Sequence, residues 1–142
     1  MRARRWLLGA VEVGAALGPM AAVEVLLRTS DLPTTCRRLG VGCDLGSAAP
    51  PAVEPAVLPR RTRRTILACG LVVSRWPAGD TCLRRCLLVG HRLSRLHPVL
   101  RIGVRRDADG RFSAHSWLEI DGRTLDPAAA AFATLGAPAG PR

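Results

Sequence analysis

The chain has 142 residues, of which 48% are hydrophobic, and its net charge is +10. This length and apolar content predict one folded domain with a core, and they exclude a disordered, highly charged segment. All 21 basic residues are arginine, so the charge reflects compositional bias as much as a partner, although it is compatible with nucleic acid, an anionic membrane surface or an acidic peptide.

Residues 1–46 are predicted to form an N-terminal helical segment. Its first part is largely apolar, but Glu12, Pro19 and Glu24 interrupt it. Because a carboxylate in the middle of a membrane is costly, we expect one helix, or two short ones, docked on the core, with at most peripheral membrane contact. Residues 30–46 have the pattern of a short helix that ends in glycines.

A Pro/Ala-rich stretch follows at residues 47–60, where the prolines prevent a regular helix. It predicts a linker that leads into a catalytic core at residues 61–135. The core is expected to begin with a helix at residues 65–75 and to end with a helix at residues 128–135. A frayed tail is predicted for residues 136–142.

The central helix of this core is predicted to begin at Cys82 and to end near Leu96. Asp80 and Thr81 are typical N-cap residues, and apolar residues follow at roughly helical spacing. A thiol in the first turn meets the positive end of the helix dipole and unpaired backbone N–H groups. Both favour the thiolate, which is the nucleophilic form of cysteine.

A β-hairpin is predicted after this helix. Apolar residues alternate with others over residues 100–105 and again over 112–120, which is typical of strands. Asp121-Gly122 is a strong signal for a two-residue hairpin turn, and a short strand at residues 123–126 is expected to return along its neighbour.

The hairpin register brings a carboxylate towards a histidine. If Asp121 and Gly122 are the central turn residues, Trp117 lies opposite Asp126. Directly opposed residues share a sheet face, so Asp126 is on the face of His115 and within side-chain reach of it. A slip of one residue would move Asp126 to the other face. Together with Cys82, these two residues form a candidate Cys-His-Asp triad.

Each of these residues has a structural alternative. Cys82 is compatible with a small buried side chain, His115 with a surface pair to Trp117, and Asp126 with the N-cap of a helix opened by Pro127. Cys86 lies one helical turn after Cys82 and is either its buried neighbour or the nucleophile itself. The cysteine and histidine spacing of this region differs from that of zinc fingers, so we expect no metal.

The surroundings of the candidate triad are constrained by composition. The chain contains no asparagine or glutamine, so no amide side chain can stabilise an oxyanion or serve as the third member of a triad. The backbone N–H of Cys82 and donors from the approach between Trp76 and Thr81 are the expected substitutes. Trp76 and Trp117 are candidates for the two sides of a substrate cleft.

Three motifs in order resemble the transglutaminase-like leader peptidases of lasso peptide biosynthesis, which are the B proteins of those gene clusters. They are Trp76-Pro-Ala-Gly-Asp-Thr-Cys82, Leu100-Arg-Ile-Gly-Val104 and Phe112-Ser-Ala-His115-Ser-Trp117-Leu-Glu-Ile-Asp-Gly-Arg-Thr-Leu-Asp126. The resemblance covers about residues 60–127. Two positions depart from the family pattern: Cys86 stands where serine is usual, and Asp126 lies one residue early relative to His115.

The resemblance implies an α+β, papain/transglutaminase-like fold in which the helix bearing the cysteine packs on a small antiparallel sheet. It also implies that Cys82 is the nucleophile, His115 the base and Asp126 the orienting acid, with no cofactor. The implied activity is removal of the leader from a ribosomally made precursor peptide. The implied partners are that precursor, a separate leader-recognition protein and an ATP-dependent macrolactam-forming cyclase.

Two other functions remain open at this point. The same triad is compatible with acyl transfer to an amine, and the charge alone is compatible with a basic, non-catalytic module that binds nucleic acid or an anionic surface. Aromatic residues make up only 4% of the chain, and it has no recognised nucleic-acid motif, so we expect no nucleic-acid partner. The odd number of cysteines and the lack of a convincing secretion signal favour a reducing, cytoplasmic environment.

Overall fold

The structure, a computed structural model, describes residues 2–136 and the side chains of residues 7–136. It has the α+β architecture that the sequence predicts. The elements are α1 (Arg2–Thr29), α2 (Leu32–Leu39), β1 (Gly42–Asp44), α3 (Arg60–Ser74), α4 (Cys82–Arg92), β2 (Val99–Arg106), β3 (Phe112–Ile120), β4 (Arg123–Thr124) and β5 (Ala133–Thr134), with short 3-10 helices at Ser94–Leu96 and Pro127–Ala131. Of the predicted tail, residues 137–142 lie outside the described part.

The helices pack together and against one face of the sheet. α1 is a single helix despite Pro19. It runs antiparallel to α4, as two ion pairs show: Glu24 near the end of α1 pairs with Arg84 near the start of α4, and Glu12 pairs with Arg92 at the end of α4. The N-terminal helices and the rest of the chain contribute to one hydrophobic core. Its buried members are Ala16, Met20, Val23, Cys36, Leu39, Val41, Cys69, Val72, Val73, Leu87, Leu88, Val89, Leu93, Leu100, Leu118 and Ile120.

The sheet has the strand order β1-β2-β3-β4, and β5 also pairs with β2. Its pairs are antiparallel except β1 with β2, which is parallel. The predicted short helix that ends in glycines is confirmed by α2, which Gly40 closes, whereas β1, at Gly42–Asp44, was not predicted. Gly40 ends α2 in the left-handed conformation, and a side chain on Gly42 would come within 3.1 Å of the Val99 side chain, so a larger residue there would require a shift.

The predicted C-terminal helix is wrong. Pro127–Ala131 forms a 3-10 helix, and Ala133–Thr134 continues as β5 along β2. The reason lies in a distant residue: a side chain on Gly103 would come within 2.7 Å of the Ala133 carbonyl oxygen. Glycine therefore opens this edge of β2, and strand pairing overrides the helical preference of an alanine-rich segment. The linker region contains no helix, and Pro55 bridges to Thr124 at the end of the sheet.

The contact between α1 and α4 predicts a pH-dependent contribution to stability. Hydrogen bonding from Arg84 lowers the pKa of Glu24 from 4.5 to about 2. A lowered folded-state pKa stabilises the fold above the unfolded value, and this contribution is lost as the pH falls through the folded value. We therefore expect Glu24→Gln to have a lower urea midpoint than the wild type above about pH 4.5, and the two midpoints to converge near pH 2.

The measurement is urea unfolding of both proteins across this pH range. Glu54→Gln is the matched control, because the Glu54 side chain is 73% exposed and lies 3.3 Å from the partly exposed Arg123; its midpoint should follow that of the wild type. A wild-type advantage over Glu24→Gln that persists unchanged at pH 2 would contradict this role of the ion pair.

Candidate active site

Cys82 is the first residue of α4, as the N-cap signals predict. The side chain of Thr81 accepts a hydrogen bond from the backbone N–H of Arg84 at 3.2 Å, and Asp80 pairs with Arg85 at 2.6 Å. Gly79, with φ +93°, turns the chain just before this cap. Cys82, the candidate nucleophile, is thus half-buried in the first turn of α4. The Thr81 cap and the Asp80–Arg85 ion pair stabilise this turn.

The hairpin has the register that the sequence predicts. Glu119 pairs with Thr124 and Ile120 with Arg123. The turn residues Asp121 and Gly122 both have positive φ, 51° and 70°, as a type I′ turn requires. Beyond the paired residues, the backbone N–H of Leu125 donates to the Leu118 carbonyl at 2.9 Å. This continuation places the next residue, Asp126, alongside the part of β3 that carries His115.

His115 and Asp126 are in direct contact: His115 Nε2 lies 2.6 Å from Asp126 Oδ2. An ionised carboxylate only accepts hydrogen bonds, so Nε2 is the donor and Nδ1 is left as the acceptor of the neutral ring. The second oxygen, Oδ1, accepts from the backbone N–H of Ala128 at 2.9 Å, which makes Asp126 the N-cap of the 3-10 helix. One carboxylate therefore makes both contacts that the sequence suggests, since each oxygen has its own partner.

Aromatic rings surround the imidazole of His115. The Phe132 ring lies 5.0 Å away, centroid to centroid, and the Trp117 ring 6.3 Å away. Trp117 is buried, and its Nε1 donates to Glu119 Oε1 at 3.0 Å. The sequence gives no signal for the contact of Phe132 with His115, because a helix predicted at residues 128–135 gives no reason to expect one with the hairpin.

A cleft of about 570 Å³ contains all three candidate residues. Besides Cys82, His115 and Asp126, it is lined by Ile66, Asp80, Arg85, Cys86, Val89, Ser116, Trp117, Leu118 and Leu125. β4 pairs with only the last two residues of β3, so among the described residues the β3 edge beside His115 has no paired strand on that side. Among the described residues, no hydrogen bond joins the Cys82 sulfur to the His115 ring. In enzymes without bound substrate, the distance between a catalytic nucleophile and its base is often longer than a hydrogen bond.

Cys86 differs from Cys82 in its environment. Its thiol donates to the Ser116 carbonyl at 3.3 Å, which holds α4 against β3. Desolvation by burial raises the pKa of the Cys86 thiol to about 12. A thiol that stays protonated at neutral pH is a poor nucleophile, so the alternative assignment of the nucleophile to Cys86 has little chemical support.

The remaining predicted site residues lie in different places. Trp117 lines the cleft, whereas Trp76 packs against the hydrophobic core and does not line it. Thr81 caps α4. Because the first residues of a helix have no intrahelical acceptor, the backbone N–H groups of Cys82 and Leu83 are available for an oxyanion. Within the described part of the chain, no group of His, Cys, Asp and Glu is arranged to hold a metal ion.

Comparison of the chain with sequence models of protein families gives a match over most of its length. The sequence model of a family described as the transglutaminase-like superfamily matches residues 20–136. The match begins inside α1 and includes α4, the hairpin and β5. No curated protein and no solved structure matches the chain.

Proposed function

Because the chain belongs to the transglutaminase-like superfamily, we propose that it is a cysteine peptidase that removes the leader from a ribosomally synthesised precursor peptide in lasso peptide maturation. Members of this superfamily are generally catalytic cysteine enzymes, and membership supports a peptidase-like or acyltransferase-like function. The observation that carries the proposal is the His115–Asp126 contact, in the same cleft as a cysteine that begins a helix.

The first half of the reaction forms a thioester. His115 accepts the Cys82 proton at Nδ1, and the sulfur attacks the carbonyl carbon of the scissile peptide bond. The N–H groups of Cys82 and Leu83 stabilise the oxyanion, while Asp126 stabilises the imidazolium through Nε2. The imidazolium then gives its proton to the leaving amine, which departs as the new N-terminus of the core peptide.

The second half releases the leader. Water enters the position of the departed amine, and His115 takes one of its protons as the oxygen attacks the thioester carbonyl. The carbon–sulfur bond breaks, the proton returns to Cys82, and the leader leaves with a new carboxylate. The net reaction is the addition of one water to one peptide bond.

Support for a peptide leader as the substrate comes from the three motifs that resemble the lasso leader peptidases. On this proposal the enzyme is cytoplasmic and acts with a separate leader-recognition protein. It passes the core peptide to an ATP-dependent macrolactam-forming cyclase.

The proposal is tested by incubating the protein with a lasso precursor peptide and a leader-recognition protein that binds it, followed by mass spectrometry. Hydrolysis gives two fragments whose masses sum to that of the precursor plus one water. Acyl transfer would instead give a product that joins the leader to an amine with no water gained. A precursor that stays intact under conditions in which the recognition protein binds it would overturn the proposal.

The two roles of Asp126 predict different effects for two substitutions. Asp126→Ala removes both contacts, so we expect the free energy of unfolding to fall by about 1 kcal/mol and cleavage to slow. Asp126→Asn should recover most of the stability, because asparagine is as good an N-cap as aspartate. It should not recover turnover, which we expect to stay about tenfold or more below the wild type, because the amide carries no charge to stabilise the imidazolium.

The measurements are urea unfolding and the single-turnover rate of precursor cleavage for both variants. Full recovery of turnover in Asp126→Asn would contradict the need for a charge on residue 126 and would show that a neutral oxygen that accepts from Nε2 is sufficient.

A further inference from the structure

The outer face of α1 is apolar and uncharged over most of its length. Between residues 7 and 27, the charged residues of α1 are Glu12 and Glu24, and both are hydrogen-bonded by arginines of α4, on the inner side of the helix. Leu7, Val11 and Val25 recur at helical spacing and are 67%, 66% and 58% exposed. A helix that is apolar all round is normally buried or in contact with lipid.

This apolar surface continues onto α3. Leu67 and Leu71 are 74% and 44% exposed, and a groove of about 690 Å³ lies between them and the small residues Gly9 and Ala10 of α1. We call the surface formed by Leu7, Leu8, Val11, Leu67 and Leu71 the α1–α3 face. A contiguous exposed apolar surface of this kind marks an interaction site.

Arginines gather at one end of the α1–α3 face. Four exposed arginines lie in the first five residues of α3, namely Arg60, Arg61, Arg63 and Arg64, and α3 contains no acidic residue. The Thr65 hydroxyl lies 3.3 Å from Glu12, so the start of α3 is beside the first half of α1. The first turns of α1 add three arginines in sequence. The end of the α1–α3 face at the start of both helices therefore combines exposed apolar side chains with a high density of positive charge.

We propose that the α1–α3 face binds peripherally to an anionic membrane surface. Leucine and valine side chains enter the boundary between headgroups and acyl chains, and the flanking arginines bind anionic headgroups, which is the pattern of interfacial helices. The segment Leu7–Thr29 is long and apolar enough to cross a membrane, and only 22% of its apolar stretch is buried in the protein, so most of that stretch is available for contact with lipid.

On this proposal α1 lies on the membrane rather than across it, because part of the helix is buried in the protein. Ala16, Met20 and Val23 are fully buried in the core, and both carboxylates of the helix are paired with α4. A two-fold dimer that packs the two faces in parallel is disfavoured, because it would bring the two clusters of arginines together.

The test uses sedimentation of the full chain with vesicles of phosphatidylcholine, with and without phosphatidylglycerol. We expect binding to the anionic vesicles only, and weaker binding as salt rises from about 0.1 M to about 1 M, which shortens the Debye length from about 10 Å to about 3 Å. Replacement of Arg60, Arg61, Arg63 and Arg64 by glutamine should weaken vesicle affinity on the order of 1,000-fold. The matched control replaces Arg37, Arg38, Arg106 and Arg111, which are exposed elsewhere, and should bind like the wild type.

A second pair of variants tests the apolar part of the face. Leu67→Glu with Leu71→Glu should reduce affinity about tenfold or more. Val53→Glu with Val57→Glu, at positions 76% and 81% exposed outside the face, should have no effect. Equal binding to neutral vesicles, equal loss in the control variants, or no vesicle binding would overturn the proposal. So would a dimer, detected by light scattering without vesicles, that only Leu67→Glu with Leu71→Glu dissociates, because the face would then bind a second copy.

Discussion

Replacing Cys82 with alanine will reduce precursor cleavage on the order of 10⁴-fold or more, because burial raises the pKa of the other thiol of the cleft, Cys86, to about 12 and makes it a poor nucleophile. Cys82 is the first residue of α4, where its side chain is half-buried and lines the cleft. Removal of its sulfur should leave the fold intact, so the unfolding midpoint should stay close to that of the wild type. The measurement is the single-turnover rate of cleavage, followed by mass spectrometry.

Cys86→Ser is the matched control for this experiment. The serine hydroxyl can donate to the Ser116 carbonyl as the Cys86 thiol does, so the contact between α4 and β3 is kept. Turnover should stay within a few-fold of the wild type, because a thiol whose pKa is raised to about 12 by burial takes no part in the reaction. The reverse pattern, with Cys82→Ala active and Cys86→Ser inactive, would assign the nucleophile to Cys86.

Replacing His115 with alanine will lower turnover on the order of 10³-fold or more, since the thiol and the leaving amine both lose their proton carrier. The substitution also leaves Asp126 Oδ2 without its partner at 2.6 Å, while the cap through Oδ1 remains. Folding should therefore be retained, and the loss should be in the rate of the chemical step.

His97→Asn is the control for a histidine outside the cleft. His97 is exposed and has φ +50°, a conformation that asparagine tolerates. Its turnover should equal that of the wild type. Normal cleavage by His115→Ala would show that the imidazole on β3 is not the base.

The parts of the site that depend on local signals could be predicted from the sequence. Thr81 caps α4 with its own side chain, so the position of Cys82 in the first turn follows from neighbouring residues. Asp121-Gly122 specifies a two-residue turn, and the turn determines which residues oppose one another across the hairpin. The contact between His115 and Asp126 follows from that register.

The parts that depend on distant residues could not be predicted. β1 and β5 form because two edge positions of β2, beside Val99 and Gly103, accept a strand, and no signal within residues 42–44 or 133–134 indicates this. The pairing of β5 with β2 also places the preceding residue, Phe132, against His115. Trp76 packs against the hydrophobic core and not in the cleft. Its position follows from the packing of α3, which ends two residues before it.

The most direct test of the central claim is the rate at which iodoacetamide alkylates each cysteine, measured by peptide mapping in the wild type and in His115→Ala. Burial raises the pKa of Cys36 and Cys86 to about 12 and that of Cys69 to about 11, so these thiols provide slow internal references. We expect Cys82 to react before them in the wild type and about tenfold or more slowly once His115 is gone, because a neighbouring imidazolium stabilises the thiolate. Equal alkylation of Cys82 in both proteins, or faster alkylation of Cys86, would contradict the account.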